Sequence, residues 1–254
     1  MAIIAIFNQK GGVGKTTTCL NLTAALTRAQ RCPVALDLDP QGHLTLASGV
    51  QNVRMEESVT AFFRNQTPLA SLMQETTGGW ELIPSTLDLA KIDAQFGNDP
   101  KAATMLKQGL GEELALTGAP VLIDCCPMLG VLTLNALLAA DRVLIPVAAD
   151  FLSLQGVHRL DAALGALEVK LKRKIERRIV ITRFDARRKL SYEIADTLRS
   201  RYGDLLCHTR IHENVALATS PASSLDVFRY APSSPGAADY KALTIELGNS
   251  GFFN

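Results

Sequence analysis

At 254 residues the chain can bury a large α/β core without disulfide or metal staples, and 47% hydrophobic with 20% charged residues excludes the disordered, fibrous and disulfide-rich classes. Its 26 basic and 25 acidic residues give a formal charge of +1, so any affinity for nucleic acid must come from a local patch. No stretch reaches the ~18 apolar residues of a membrane span, and the start, Met1-Ala2-Ile3-Ile4-Ala5-Ile6-Phe7, lacks a basic leader, which predicts a cytoplasmic protein.

In chain order, apolar runs at 3–7, 34–37, 81–84, 121–124, 143–147, 179–182 and 205–208 predict strands. Most are continuously apolar, as strands covered on both faces must be. Helical spacing falls between them at 17–28, 129–139, 154–171, 191–202 and 237–247. This alternation predicts a three-layer α/β sandwich with a mainly parallel sheet, read as a single domain over 1–254. Residues 48–120 are the least regular, with weaker helices at 59–64 and 102–114 and a Gly78-Gly79 break; 220–235 reads as a long ordered loop. Cys19, Cys32, Cys125, Cys126 and Cys207 form no Cys-x-x-Cys pair and read as structural thiols.

Lys10-Gly11-Gly12-Val13-Gly14-Lys15-Thr16-Thr17 lies between an apolar strand and an amphipathic helix, which is the placement a phosphate loop requires. Its glycines let successive amides turn toward phosphate oxygens, and the helix N-terminus adds partial positive charge. Lys15 would reach the β- and γ-phosphates and the Thr16 hydroxyl would bind Mg²⁺. The usual first glycine is replaced by Gln9, while an additional lysine, Lys10, opens the loop.

That loop, together with Asp37-Leu38-Asp39-Pro40-Gln41-Gly42, Leu122-Ile123-Asp124 and the segment from Leu129 to Leu137, resembles the ParA/MinD family of dimeric ATPases, and most closely its short ParA branch. The likeness continues through Ile145-Pro146-Val147, Phe184-Asp185-Ala186-Arg187, Ile211 to Asn214 and Gly236-Ala237, nearly the whole chain. It implies a P-loop NTPase fold, ATP and Mg²⁺ as cofactors, and residues Lys10 to Thr17 around the phosphates. By resemblance Asp124 holds a Mg²⁺-bound water and Asp39 orients the attacking water. Asp37 is either a supporting carboxylate near the metal, through water, or a turn-stabilising one. Lys10 is implied to cross a homodimer interface onto the partner's nucleotide, which makes ATP the glue of the dimer. Residues 211–214 are expected near adenine: Asn214 is carried over from the motif, and His212, outside the family pattern, either packs on the base or is a surface residue.

From Lys170 to Lys189 ten basic residues face only Glu176 and Asp185, a local charge of +8 that predicts either a sequence-independent, salt-sensitive phosphate-binding face or a solvated helix end with a basic flank. Arg187 matches an arginine that the family uses for non-specific DNA binding, but the second falls at Ala216. Arg173, Arg177, Arg178, Arg188 or Arg210 is expected to compensate, or DNA binding is weaker. Cys125-Cys126-Pro127-Met128 also departs from the family's Cys-Pro-Pro-Ser.

The resemblance implies an ATP-dependent, nucleoid-associated dimer released from DNA by a ParB-like or cargo-adaptor partner, to partition DNA or position a protein assembly. The chain starts almost at its first strand, with no preceding helix-turn-helix for operator binding. A MinD-like membrane ATPase is the alternative; the tail 247–254 is too short and glycine-broken for the amphipathic anchor that it needs. An iron–sulfur relative would need converging cysteines that the chain lacks.

Overall fold

The computed structural model describes residues 2–97, 99, 101–113 and 118–254. Strands β1 (Ile3–Ile6), β2 (Val34–Leu38), β3 (Gln74–Glu75), β4 (Glu81–Ile83), β5 (Val121–Cys125), β6 (Arg142–Ala148), β7 (Glu176–Phe184) and β8 (Leu206–His212) form one sheet in the order β3-β4-β2-β5-β1-β6-β7-β8. Every pairing is parallel except β3 with β4. The chain departs from β1 to β2 on one side and later crosses from β5 to β6 on the other. The carboxyl end of β1 is therefore a topological switch point, where open α/β sheets bind ligands.

Alternate residues of each strand feed two separate cores. Ala2, Ile4, Ile6, Ala35 and Leu122 pack beneath α1 (Lys15–Arg28), α2 (His43–Ala47), α9 (Val215–Thr219), α10 (Val227–Tyr230) and α11 (Pro235–Asn249). Ile3, Ala5, Phe7, Leu36 and Ile123 pack on the opposite face, beneath α3 (Val59–Asn65), α4 (Ala90–Phe96), α5 (Met105–Glu113), α6 (Val131–Ala139), α7 (Phe151–Leu171) and α8 (Lys189–Tyr202). The expected three layers and parallel sheet are thus observed.

The differences from the sequence reading are local. Strands β7 and β8 run longer than expected, because their outer residues are polar: the β8 edge is closed by α11, whose Glu246 accepts from the His208 and Thr209 amides at 2.6 and 2.8 Å. The Gly78-Gly79 break is the turn of a β3–β4 hairpin, too short to show alternation. Helix α5 follows a 3₁₀ turn at Ala102–Thr104, and Leu114 of the expected 102–114 helix lies outside the described residues. The segment 220–235 carries a 3₁₀ turn, Ser220–Ser223, and the short helix α10, capped by Asp226, whose carboxylate accepts from the Phe228 and Arg229 amides. The tail is packed inward, with Phe252 and Phe253 buried and Arg31 donating to the Phe253 carbonyl at 3.1 Å.

The basic run does not make one face. Arg173, Arg177 and Arg178 stand at the amino end of β7, whereas Arg187 and Arg188 follow its carboxyl end, ~25 Å away by strand length. Arg173 donates to the carbonyls of Leu138 and Ala140 at the end of α6. Arg177 is clamped by Asp161 and Glu168 of α7 at 2.8 and 2.6 Å, and Arg178 donates to the Asp204 carbonyl at 2.7 Å. These three arginines fasten helices to the sheet, so each already has partners within the fold. Replacing Arg177, whose side chain is only 14% exposed, strands two carboxylates. Arg177→Ala should therefore lower unfolding free energy by about 2 kcal/mol in a denaturant titration; an unchanged midpoint would contradict this structural role.

Candidate functional site

The loop from Lys10 to Gly14 leaves β1 at the switch point and becomes the first turn of α1. Gly12 and Gly14 sit at φ 73° and 84°, conformations that side chains rarely adopt, and Gly14 is the N-cap of α1. The buried Val13 anchors the loop, its carbonyl accepting from the Thr182 hydroxyl at 2.8 Å. Lys15 is nearly enclosed and donates to the Lys10 carbonyl at 3.1 Å, closing the loop on itself. Burial lowers the pKa of this ammonium, against the pull of Asp124. Gly11, Gly12, Gly14, Lys15, Thr16 and Thr17 line one cavity of about 930 Å³.

Three carboxylates stand at the same end of the sheet and differ in their partners. Asp37 and Asp124 are register partners on β2 and β5, both completely buried. Asp37 accepts from the Asp39 amide at 3.1 Å and from the Thr45 amide and hydroxyl at 2.8 and 2.7 Å. Its oxygens organise the turn into α2, the second of the two roles left open above; burial still pushes its pKa up to about 6. Asp39, on the cavity wall, has one oxygen on the Gln41 amide at 2.9 Å, and its carbonyl accepts from Ser85. Neither oxygen of Asp124 makes a hydrogen bond of full geometry, although the Thr16 hydroxyl stands close enough to act on it. Burial, then the charge of Asp37, raises its pKa well above the usual carboxylate range, with the Thr16 hydroxyl and Lys15 acting in the opposite direction.

A buried carboxylate with no partner, beside a hydroxyl and a lysine, has the chemistry of a hard-cation site. Among the described residues no three His, Cys, Asp or Glu side chains converge on one point. A cation here would take its remaining ligands from phosphate and water, as Mg²⁺ commonly does. Cavity, loop amides and orphaned carboxylate thus fit a nucleotide with Mg²⁺.

Ile211, His212, Asn214, Leu217 and Tyr240 also line this cavity. Asn214 caps α9, its side chain accepting from the Ala216 amide at 2.9 Å. His212 is held by Asp239, 3.0 Å from Nδ1, and stands edge-on to Phe184. Sequence reasoning missed Asp239, as it missed the partners of Lys10. That ammonium lies 2.6 Å from Asp150 Oδ1 and 3.0 Å from Ser153 Oγ, at the N-cap of α7. The Asp-x-x-Ser pattern was a visible capping signal, one turn ahead of the expected helix start. Arg187 and Arg188 share Asp185, whose pKa they depress to about 2, and are 88% and 75% exposed. Arg210 stacks over Phe184 at 4.7 Å, and Ala216 is half-buried on α9.

Residues 1–177 match the sequence family described as an AAA domain. Over 96% of its length the chain is 37% identical to the chromosome-partitioning ATPase Soj of Thermus thermophilus, covering 94% of that protein. The chain belongs to the ParA/Soj family. It is also 32% identical to the chromosome partitioning protein ParA of Myxococcus xanthus, over 96% of this chain and 87% of that one. Among solved structures, a cobyrinic acid a,c-diamide synthase from Mycobacterium smegmatis with bound ATP analog and magnesium superposes with a TM-score of 0.82 at 28% identity, covering 99% of this chain and 97% of that chain. The septum site-determining protein MinD of Pyrococcus horikoshii shares the fold, with a TM-score of 0.78 at 20% identity over 98% and 97% of the two chains.

The orphaned carboxylate has a measurable cost in this ParA/Soj chain. Asp124→Asn removes a buried charge, so it should raise the melting temperature of the nucleotide-free protein, by ~2–4 °C for each kcal/mol relieved. Because the folded-state pKa of Asp124 is raised, the folded chain binds more protons than the unfolded one above pH ~4, and stability falls as pH rises toward that pKa. The gain from Asp124→Asn should therefore be larger at pH 7.5 than at pH 5; a loss of stability, or a gain that shrinks with pH, would contradict the assignment.

Proposed function

We propose that the chain is a partition or positioning ATPase that binds ATP with Mg²⁺ in this cavity and pairs face to face with a second copy over the bound nucleotide. The ATP-bound dimer holds DNA without sequence preference, until a ParB-like or cargo-adaptor partner stimulates hydrolysis. The observation that carries this reading is the buried, partnerless Asp124 facing a phosphate loop with two lysines. The partition ATPases among its relatives, and the ATP analog and magnesium in the M. smegmatis structure, support it.

In this reading the amides from Gly11 to Thr17 cradle the phosphates, and Lys15 exchanges the Lys10 carbonyl for β- and γ-phosphate oxygens. Thr16 and Asp124 would hold Mg²⁺, while Asp37, in the same layer, fixes the turn that carries Asp39. The metal supplies charge neutralisation on the transferring phosphoryl group. Asp39 orients the attacking water, and Asn214 and His212 wall the base.

Lys10 must leave Asp150 before it can reach a partner's phosphates. Two such lysines facing each other repel, and a triphosphate between them reverses the sign of the interaction. With Arg173, Arg177 and Arg178 bonded to the fold at the amino end of β7, the DNA face centres on Arg187 and Arg188, with Lys189 and Arg210 beside them. In this reading the working protein sits in the cytoplasm, on the nucleoid. No described helix is long and apolar enough to cross a membrane, and Phe252 and Phe253 pack into the core.

Two variants separate the steps. A Cβ at Gly11 meets nothing within 4 Å, so Gly11→Val should fold and bind ATP yet sediment as a monomer with ATP, where wild type sediments as a dimer. Arg187→Glu should dimerise and hydrolyse ATP normally while losing DNA affinity for any sequence, and wild-type binding should weaken by ~0.9 log unit per log unit of salt for each phosphate contact. An ATP-bound Gly11→Val dimer would contradict the pairing, and unchanged DNA binding by Arg187→Glu would contradict the DNA face.

A further inference from the structure

Helix α6 begins without a cap of its own. Its N-cap residue is Gly130, extended at φ −115° and ψ −166°, which has no side chain to receive the amides of the first turn. The Leu132 amide instead donates to Asp93 Oδ1 at 3.3 Å, across from α4 and 39 residues earlier in the chain. The approach depends on glycine: a Cβ at position 130 would lie 2.5 Å from both Asp93 carboxylate oxygens. An anionic oxygen at a helix N-terminus is favoured both as an acceptor and by the helix dipole.

The helix capped in this way carries the loop that leaves Asp124. Cys126, Pro127 and Met128 of that loop line the cavity, as does Asp93 itself. Inside α6, Thr133 donates to the Met128 carbonyl at 2.5 Å, and the Cys126 thiol lies 3.5 Å from the same Thr133 hydroxyl. The cavity wall is fastened to the first turn of α6, and that turn to Asp93.

We propose that Asp93 is a positioning residue for hydrolysis. Its carboxylate caps α6 from α4 and so fixes the 126–129 loop beside Asp124 and Asp39, without being needed to hold the nucleotide. This rests on the ATPase reading above. The register of α4 thereby sets the geometry at the phosphate end of the cavity.

The test uses the full chain, with ATP affinity read by calorimetry, hydrolysis by single-turnover phosphate release, and amide exchange at Leu132 in the nucleotide-free protein. Asp93→Ala should slow hydrolysis about five- to tenfold, the equilibrium weight of one lost helix cap, speed exchange at Leu132, and leave ATP affinity within about twofold. Gly130→Ala should do the same by displacing the carboxylate, and the double variant should be no worse than either single one. Asp93→Asn keeps an acceptor oxygen and should retain most of the rate. Gly130→Ser in the Asp93→Ala background supplies a cap from within α6 and should restore it. Wild-type turnover in Asp93→Ala, additive losses in the double variant, or no rescue by Gly130→Ser would overturn the proposal. A large loss of ATP affinity in Asp93→Ala would overturn it too, by making Asp93 a binding residue, whereas failure of the unmodified chain to bind ATP would defeat the ATPase reading itself.

Discussion

The structure depends on two carboxylates buried side by side at the carboxyl ends of β2 and β5. Asp37 and Asp124 are register partners in the centre of the sheet, where removal of water makes each charge costly and their mutual repulsion adds to the cost. Asp37 is compensated by three donors from the chain; Asp124 is left for something that arrives from outside. Such an imbalance is carried in the folded state only because surrounding elements hold it, and in the proposed function a cation and its phosphates relieve it.

The holding is done by single polar links from distant elements. Thr45 receives the Ser85 amide while donating to Asp37, so α2, the turn after β4 and the second strand share one node. Thr182 on β7 holds the phosphate loop through Val13, and Tyr240 on α11 meets Thr18 on α1. Asn135 ties α6 to α5 through the Ala102 carbonyl and the Leu106 amide. The irregular segment 48–120 is therefore not filler. It brings Ala90 and Asp93 to the cavity, lets Ser85 hold the Asp39 carbonyl, and braces α6 from the side.

Much of this was legible in the sequence, for physical reasons. Apolar strands buried on both faces read as continuous runs, and a loop of Lys10, Gly11, Gly12, Val13, Gly14 and Lys15 between strand and helix has few uses other than phosphate binding. The partners of those residues were not legible: Asp150 lies 140 positions from Lys10 and Asp93 39 positions from Leu132, and only the fold brings them together. The basic run shows the converse. Arg173, Arg177 and Arg187 are near in sequence, but a strand separates them, and burial turned two of them into structural ties. Composition counts charge, whereas the fold decides which charges remain free.

In the proposed function Asp124 couples nucleotide to metal, and calorimetric titration of ATP with and without Mg²⁺ tests that role most directly. Wild-type protein should bind ATP at least tenfold more tightly with Mg²⁺ than in chelator, a difference of about 1.4 kcal/mol or more, and Asp124→Asn should lose most of that dependence while still binding the metal-free nucleotide through the loop. Wild-type binding indifferent to Mg²⁺, or an Asp124→Asn variant with the full Mg²⁺ dependence intact, would contradict the account.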